Sequence, residues 1–138
     1  MNEVGFTGTR AGMTGDQAAT VGRLLATLFK GPSAEFHHGD AVGADQQAAA
    51  LALAIGYEPV PHPGGDAARN IARNHEIVEV SKVMIAAPYG GKEVLRSGTW
   101  ATIRFSKGEL KQKPSGGFRP IYVVWPDGGE EAYGFNGQ

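Results

Sequence analysis

The chain contains no cysteine. Disulfides and thiolate metal sites are excluded, and a reducing compartment is compatible with the composition. Basic charge is not in excess either. Lys and Arg number 13 against 14 Asp and Glu, a formal net charge of −1. A protein that neutralises phosphates along a nucleic acid wants the opposite balance, so the charge argues against nucleic acid as a partner. No run approaches the roughly 18 apolar residues of a membrane-spanning helix, so no membrane association is expected. The opening "MNEVGFTGTRAGMTG" has no basic stretch followed by an apolar one. No signal peptide is read there, and a cytoplasmic location is expected. Walker-type Gly-x-x-x-x-Gly-Lys-Ser/Thr is missing, and "GFTGTRAG" is spaced wrongly for a dinucleotide fingerprint.

What the chain has is glycine at particular places. Of 138 residues 21 are glycine, about twice the usual ~7%. They cluster at the ends of apolar runs, in "GFTGTRAG", "HHGDAVGAD", "PHPGGD", "PYGGKE" and "RSGT". The length suits one domain, and an apolar content of 41% is enough for a real core. Five short apolar runs read as strands: "EVGFTG", "AEFHHG", "YEPVPH", "KVMIAAP" and "RPIYVVWP". Four helical patterns lie between them. The first opens on a capping box, Thr14 with Gln17, and the second stops at Gly56. The third is "DAARNIARNHEIVEVS" and the fourth "TWATIRFSKGEL". Strict alternation predicts an α/β fold, a Rossmann-like, doubly wound, mainly parallel five-stranded sheet with helices on both faces. The domain is read as residues 1–127, followed by a polar tail over 128–138.

In such sheets ligands bind beyond the carboxyl ends of the strands. The glycine turns fall there, ahead of helix N-termini that hold anions. The candidate ligand-binding residues are Gly8, Thr9 and Arg10 after the first strand. After the second they are Gly39, Asp40, Gly43, Ala44 and Asp45. Arg73 on the third helix and Gly98 with Thr99 at the fourth complete the set. Phosphates are expected at Gly43–Ala44 and at Gly98–Thr99. Arg10 is read as a bidentate partner for phosphate or carboxylate, or as one half of a surface salt bridge. Of Asp40 and Asp45, one is read as the N-cap of the second helix and the other as a partner for a ribose hydroxyl. His37 and His38 are neighbours on a strand and face opposite sides, so they do not chelate one metal. One is read as packed, the other as reaching the cleft. No metal or cofactor is expected. Lys107, Lys111 and Lys113 read as a solvated basic face. Trp100, Ile103 and Phe105 cannot all face a sheet from one helix, which predicts a homo-oligomer.

At these residues the chain resembles the SLOG superfamily of Rossmann-like nucleotide-binding domains. That superfamily includes the Lonely-Guy phosphoribohydrolases, the DNA-processing protein A family and the YspA-like proteins. "GFTGTRAG", "HHGDAVGAD", "ARNHEIVEVSKVMIAAP" and "SGTWATIRFS" carry the resemblance, which is nearest to the YspA-like branch and covers roughly residues 3 to 127. In the hydrolases an arginine and a glutamate perform the chemistry. Arg73 falls where that arginine is expected, and Thr102 stands at the glutamate position. The resemblance therefore implies a retained phosphate turn without its acid. The leading reading is binding of a phosphorylated, nucleotide-derived small molecule, such as an ADP-ribose-like molecule, a cyclic nucleotide or a nucleoside monophosphate, for sensing or sequestration. A nucleotide phosphoribohydrolase or related nucleotide hydrolase is the alternative. Single-stranded DNA binding ranks last, on the net charge.

Overall fold

A computed structural model describes residues 3–108 and 119–135 of the chain. Lys111 and Lys113 lie outside the described residues. The alternation read from the sequence folds as β1 (Glu3–Gly8), α1 (Gly15–Leu28), β2 (Glu35–His38), α2 (Ala44–Ile55) and β3 (Glu58–Pro61). It continues as α3 (Ala67–Val80), β4 (Val83–Ala87), α4 (Gly98–Ser106), β5 (Ile121–Val124) and β6 (Glu130–Tyr133). The strands lie in one sheet in the order β3-β2-β1-β4-β5-β6. The first five are parallel, and β6 runs antiparallel to β5.

The sheet thus has six strands where five were expected. The chain turns back after β5 through Trp125–Gly128, closed by the Gly128 N–H on the Trp125 carbonyl (2.8 Å). Gly128 takes φ +87°, a left-handed conformation that suits glycine. α1 fixes the turn from the side: the Thr20 hydroxyl donates to the Gly128 carbonyl (2.7 Å), and Arg23 pairs with Glu130.

The two faces are covered as the crossovers require. α1 and α2 pack Val21, Leu24, Leu25, Ala48 and Ala52 on one face, against Phe6, Phe36, Ile85 and Ala87. α3 and α4 pack Ile77, Val78, Ile103 and Phe105 on the other, against Met84, Ala86, Ile121 and Val123. β4 therefore sends alternate residues into both cores, which is why its sequence shows no polar alternation. The capping box on α1 forms as read, with Gln17 N–H donating to the Thr14 hydroxyl (3.0 Å).

The physical motive for a homo-oligomer disappears here. Trp100, Ile103 and Phe105 are all buried within one chain. Phe105 stacks on His75 of α3, with centroids 3.8 Å apart, and Trp100 packs on Trp125 (5.6 Å). α4 sits between α3, the sheet and the β5–β6 turn, so three of its sides are covered.

His37 and His38 do face opposite sides of β2, yet both are buried and neither reaches a cleft. His37 Nδ1 lies 2.8 Å from His62 Nε2, with Glu35 at its other nitrogen (3.1 Å). Glu76 sits on the far nitrogen of His62 (2.6 Å). His38 stacks on Phe36, and its Nδ1 accepts the Asp40 N–H (3.0 Å). Burial lowers the pKa of His37 and His38 below 6.5; the charge of His62 adds to this for His37 and the carboxylate of Asp40 opposes it for His38. The unfolded chain then binds protons at higher pH than the folded one does. Their contribution is fully present above about pH 6.5 and is lost as pH falls through the window below it. Thermal unfolding should show a lower Tm at about pH 5.5 than at about pH 8, and His37→Gln should shrink that difference.

Candidate functional site

β1 leads through α1 to β2 on one side, whereas the crossover from β3 lands on β4 at the other side of β1. Loops leaving β1 and β4 therefore diverge, and a crevice opens beyond their carboxyl ends. It is a cleft of about 370 Å³. β1 and the loop leaving it contribute Gly8, Thr9 and Arg10 to its wall, and α2 contributes Asp45. Arg73 of α3, Tyr89 after β4, and Gly98 with Thr99 of α4 also line it.

α4 starts where the sequence suggested, with Ser97 as its cap. The Ser97 hydroxyl accepts the Trp100 N–H (3.2 Å). The N–H groups of Gly98 and Thr99 precede the first intrahelical bond, and both residues line the cleft. A Cβ on Gly98 would meet nothing within 4 Å. Thr102, one turn on, donates its hydroxyl to the Gly98 carbonyl (2.8 Å) and is buried. It faces the helix and not the cleft.

The N-terminus of α2, the other place where an anion was expected, is different: the Ala44 N–H is already taken. The Ala44 N–H donates to the Thr9 carbonyl (2.9 Å), and Ala44 is fully buried. Neither Asp40 nor Asp45 caps this helix. The cap is Gly43 at φ +88°, with no side-chain hydrogen bond, and a Cβ there would overlap the Arg10 carbonyl. Asp45 turns its Oδ2 back to the Gly39 N–H (2.9 Å) and the Ala41 N–H (3.4 Å). Burial raises its pKa, against the pull of those N–H groups and of Arg73 and Arg10. Asp40 lies outside the cleft wall in a left-handed conformation (φ +54°). Gly39, Asp40, Gly43 and Ala44 thus support the cleft from behind, while Gly8, Thr9, Arg10, Asp45, Arg73, Gly98 and Thr99 meet in it.

The two arginines differ. Arg73 is tied down: its Nη1 donates to the Gly39 carbonyl (2.8 Å) and its Nε to Asn74 Oδ1 (2.7 Å). Arg10 is exposed at the mouth and makes no hydrogen bond or ion pair among the described residues.

Among the cleft residues that sequence reasoning missed are Tyr89, Asn70 and Asn74. Tyr89 is 75% exposed at the rim. Its signal was present, an aromatic two residues after a buried parallel strand and ahead of two glycines. The loop it begins, residues 88–97, is held on its far side by Arg104, which pairs with Glu93 (2.7 Å) and donates to the Leu95 carbonyl (3.2 Å). Among the described residues no cluster of His, Asp or Glu is arranged to hold a metal ion, and no helix is long and apolar enough to cross a membrane.

No family model matches the chain, and no curated protein matches it. Among solved structures the fold is similar to DNA processing protein A from Helicobacter pylori, described for its single-stranded DNA binding mode. The TM-score is 0.57 at 22% identity, over 88% of this chain and 64% of that one. The likeness gives the fold. The chain is a Rossmann-like doubly wound α/β protein. It spans just under two thirds of the matched structure. The order of functional readings drawn from the sequence is corrected by this finding. A small nucleotide-derived ligand stood first there and nucleic acid was argued against, whereas the matched protein binds single-stranded DNA. Net charge averages the whole surface, whereas the cleft wall holds two guanidinium groups against one carboxylate that is buried.

Two glycines test the geometry of the site. Gly43→Ala puts a Cβ on a left-handed residue and into the Arg10 carbonyl, and should cost at least ~1–2 kcal/mol of stability. Gly98→Ala, in open space on an ordinary helical turn, should leave stability within ~0.5 kcal/mol of the wild type. Chemical denaturation of the two variants side by side checks both.

Proposed function

We propose that this chain binds single-stranded DNA, holding a splayed nucleotide in the cleft beyond β1 and β4. The observation that carries the reading is Tyr89. A large aromatic ring that is three-quarters exposed needs a reason, and this one stands at the rim of a cleft with Arg10 and the N-terminus of α4. Aromatic rings on which bases stack, beside groups that take phosphate, are what sequence-tolerant single-strand binding requires. Gly98 and Thr99 supply backbone N–H groups and the positive helix end for a phosphate. Arg10 supplies an unpaired charge, and Arg73 adds another from the opposite wall.

The size of the cleft supports the same reading. At about 370 Å³ it falls near the small end of ligand pockets. A single unstacked nucleotide fits such a volume and a duplex does not. The single-stranded DNA binding described for the structurally similar protein is further support. Membership of the SLOG superfamily is part of this proposal, on the motifs at Gly8–Arg10, Gly39–Asp45 and Gly98–Thr99.

Fluorescence anisotropy with a labelled single strand tests it. Tyr89→Ala should weaken binding by ~1–3 kcal/mol, about fivefold to a hundredfold, and Tyr89→Trp should retain it. Arg10→Ala should lower the salt dependence by about 0.7 in log–log slope, one phosphate contact on a single strand. A duplex that binds as tightly as the single strand, or a Tyr89→Ala protein with unchanged affinity, would refute the reading.

A further inference from the structure

Asn70, Arg73 and Asn74 bring three side chains of α3 to the cleft wall. Their spacing puts them on one face of the helix. An asparagine amide has an acceptor oxygen at one corner and a donor amino group at the other. Here both oxygens are already engaged. Asn70 Oδ1 accepts the Gly65 N–H (2.9 Å), and Asn74 Oδ1 accepts the Arg73 Nε–H (2.7 Å). A backbone N–H and a guanidinium N–H donate and never accept. The orientation of both amides is therefore dictated by the chemistry of their partners, with the oxygens turned to the protein. Neither amino group has a partner among the described residues, and no buried side-chain nitrogen there is left unsatisfied. Both amino groups are thus accessible to solvent, on residues that line the cleft. The guanidinium between them carries donors alone. α3 presents a wall of donors with no acceptor in it.

We propose that this donor wall selects the base that enters the cleft, favouring a keto base such as thymine over adenine; the inference rests on the single-stranded DNA reading above. Splayed bases are read along their hydrogen-bonding edges. Thymine offers two carbonyl oxygens to a donor wall, one on each side of its single N3–H. Adenine carries its amino group beside each of the ring nitrogens on those edges, so a donor meets a donor. Asn70 and Asn74 are then the specificity-determining residues, and Tyr89 stacks whichever base is present.

The test compares thymidine, deoxyadenosine and deoxyinosine homopolymers of equal length by anisotropy. Deoxyinosine replaces the amino group of adenine by a keto oxygen and leaves a purine to stack, so on the wild type it should bind more tightly than deoxyadenosine, by about fivefold. Asn70→Asp and Asn74→Asp keep the inward hydrogen bond and exchange the outward donor for an acceptor. The added charge weakens both strands alike, so the readout is the ratio of Kd values. The preference for thymidine over deoxyadenosine should fall by about fivefold in each variant. Deoxyinosine and deoxyadenosine binding equally well, or a ratio that neither aspartate moves, would overturn the selectivity and leave single-strand binding standing. Binding of no strand by the wild type would overturn both.

Discussion

One hydrogen bond holds the site together, the Ala44 N–H on the Thr9 carbonyl at 2.9 Å. It joins the loop leaving β1 to the first residue of α2, and it is possible because Gly43 carries no side chain. With that bond in place the backbone of Thr9 and Arg10 lies across the end of α2, and the Arg10 side chain is left at the mouth of the cleft. The same contact occupies the positive end of α2, so the free helix N-terminus that the cleft presents is that of α4. A second layer fixes the loop from below. Asp45 takes the Gly39 and Ala41 N–H groups, and Arg73 takes the Gly39 carbonyl. The charged residues of the β2–α2 turn hold shape here, whereas those at the mouth are open to a ligand.

Much of the fold was legible because its signals are periodic and local. "KVMIAAP" is apolar on both faces since both faces of β4 are covered, and the capping box at Thr14 is a pattern of side-chain chemistry alone. β6 was missed although "WPDGG" is a turn signal, because Glu130 and Glu131 look solvated and the pairing partner is fixed only once β5 is in place. The site was half legible. Glycine turns mark where the chain bends around a crevice, and they led to Gly8, Thr9, Gly98 and Thr99. They do not say whether a bend faces the crevice or props it up. Gly43–Ala44 props it up. Tyr89, Asn70 and Asn74 belong to the site through the three-dimensional course of β4 and α3, and a one-dimensional reading has no register in which to align them.

The function read from composition failed for a related reason. A net charge of −1 is a sum over the molecule, and binding responds to the field in one crevice. Glu93 is matched by Arg104 and Glu130 by Arg23. Asp45 is buried and directed at backbone N–H groups. What is left facing the cleft is cationic and rich in donors, a local balance that the total conceals. Thr102 teaches the complement. Its hydroxyl is bound to its own helix, so a polar residue one turn from the cleft is spent on the Gly98 carbonyl.

The two borders of the sheet share a property that bears on how copies of the chain meet. Along β3 the N–H groups of Glu58 and His62 point inward, the latter to His38 of β2. The intervening outward positions are Pro59 and Pro61, which have no N–H to offer. At the opposite border β6 carries Glu130 and Glu131, adjacent negative charges on a short strand. Neither margin is a template on which a further strand could be laid. Copies of this protein that meet edge to edge would then touch through side chains, without zipping their sheets into a fibre.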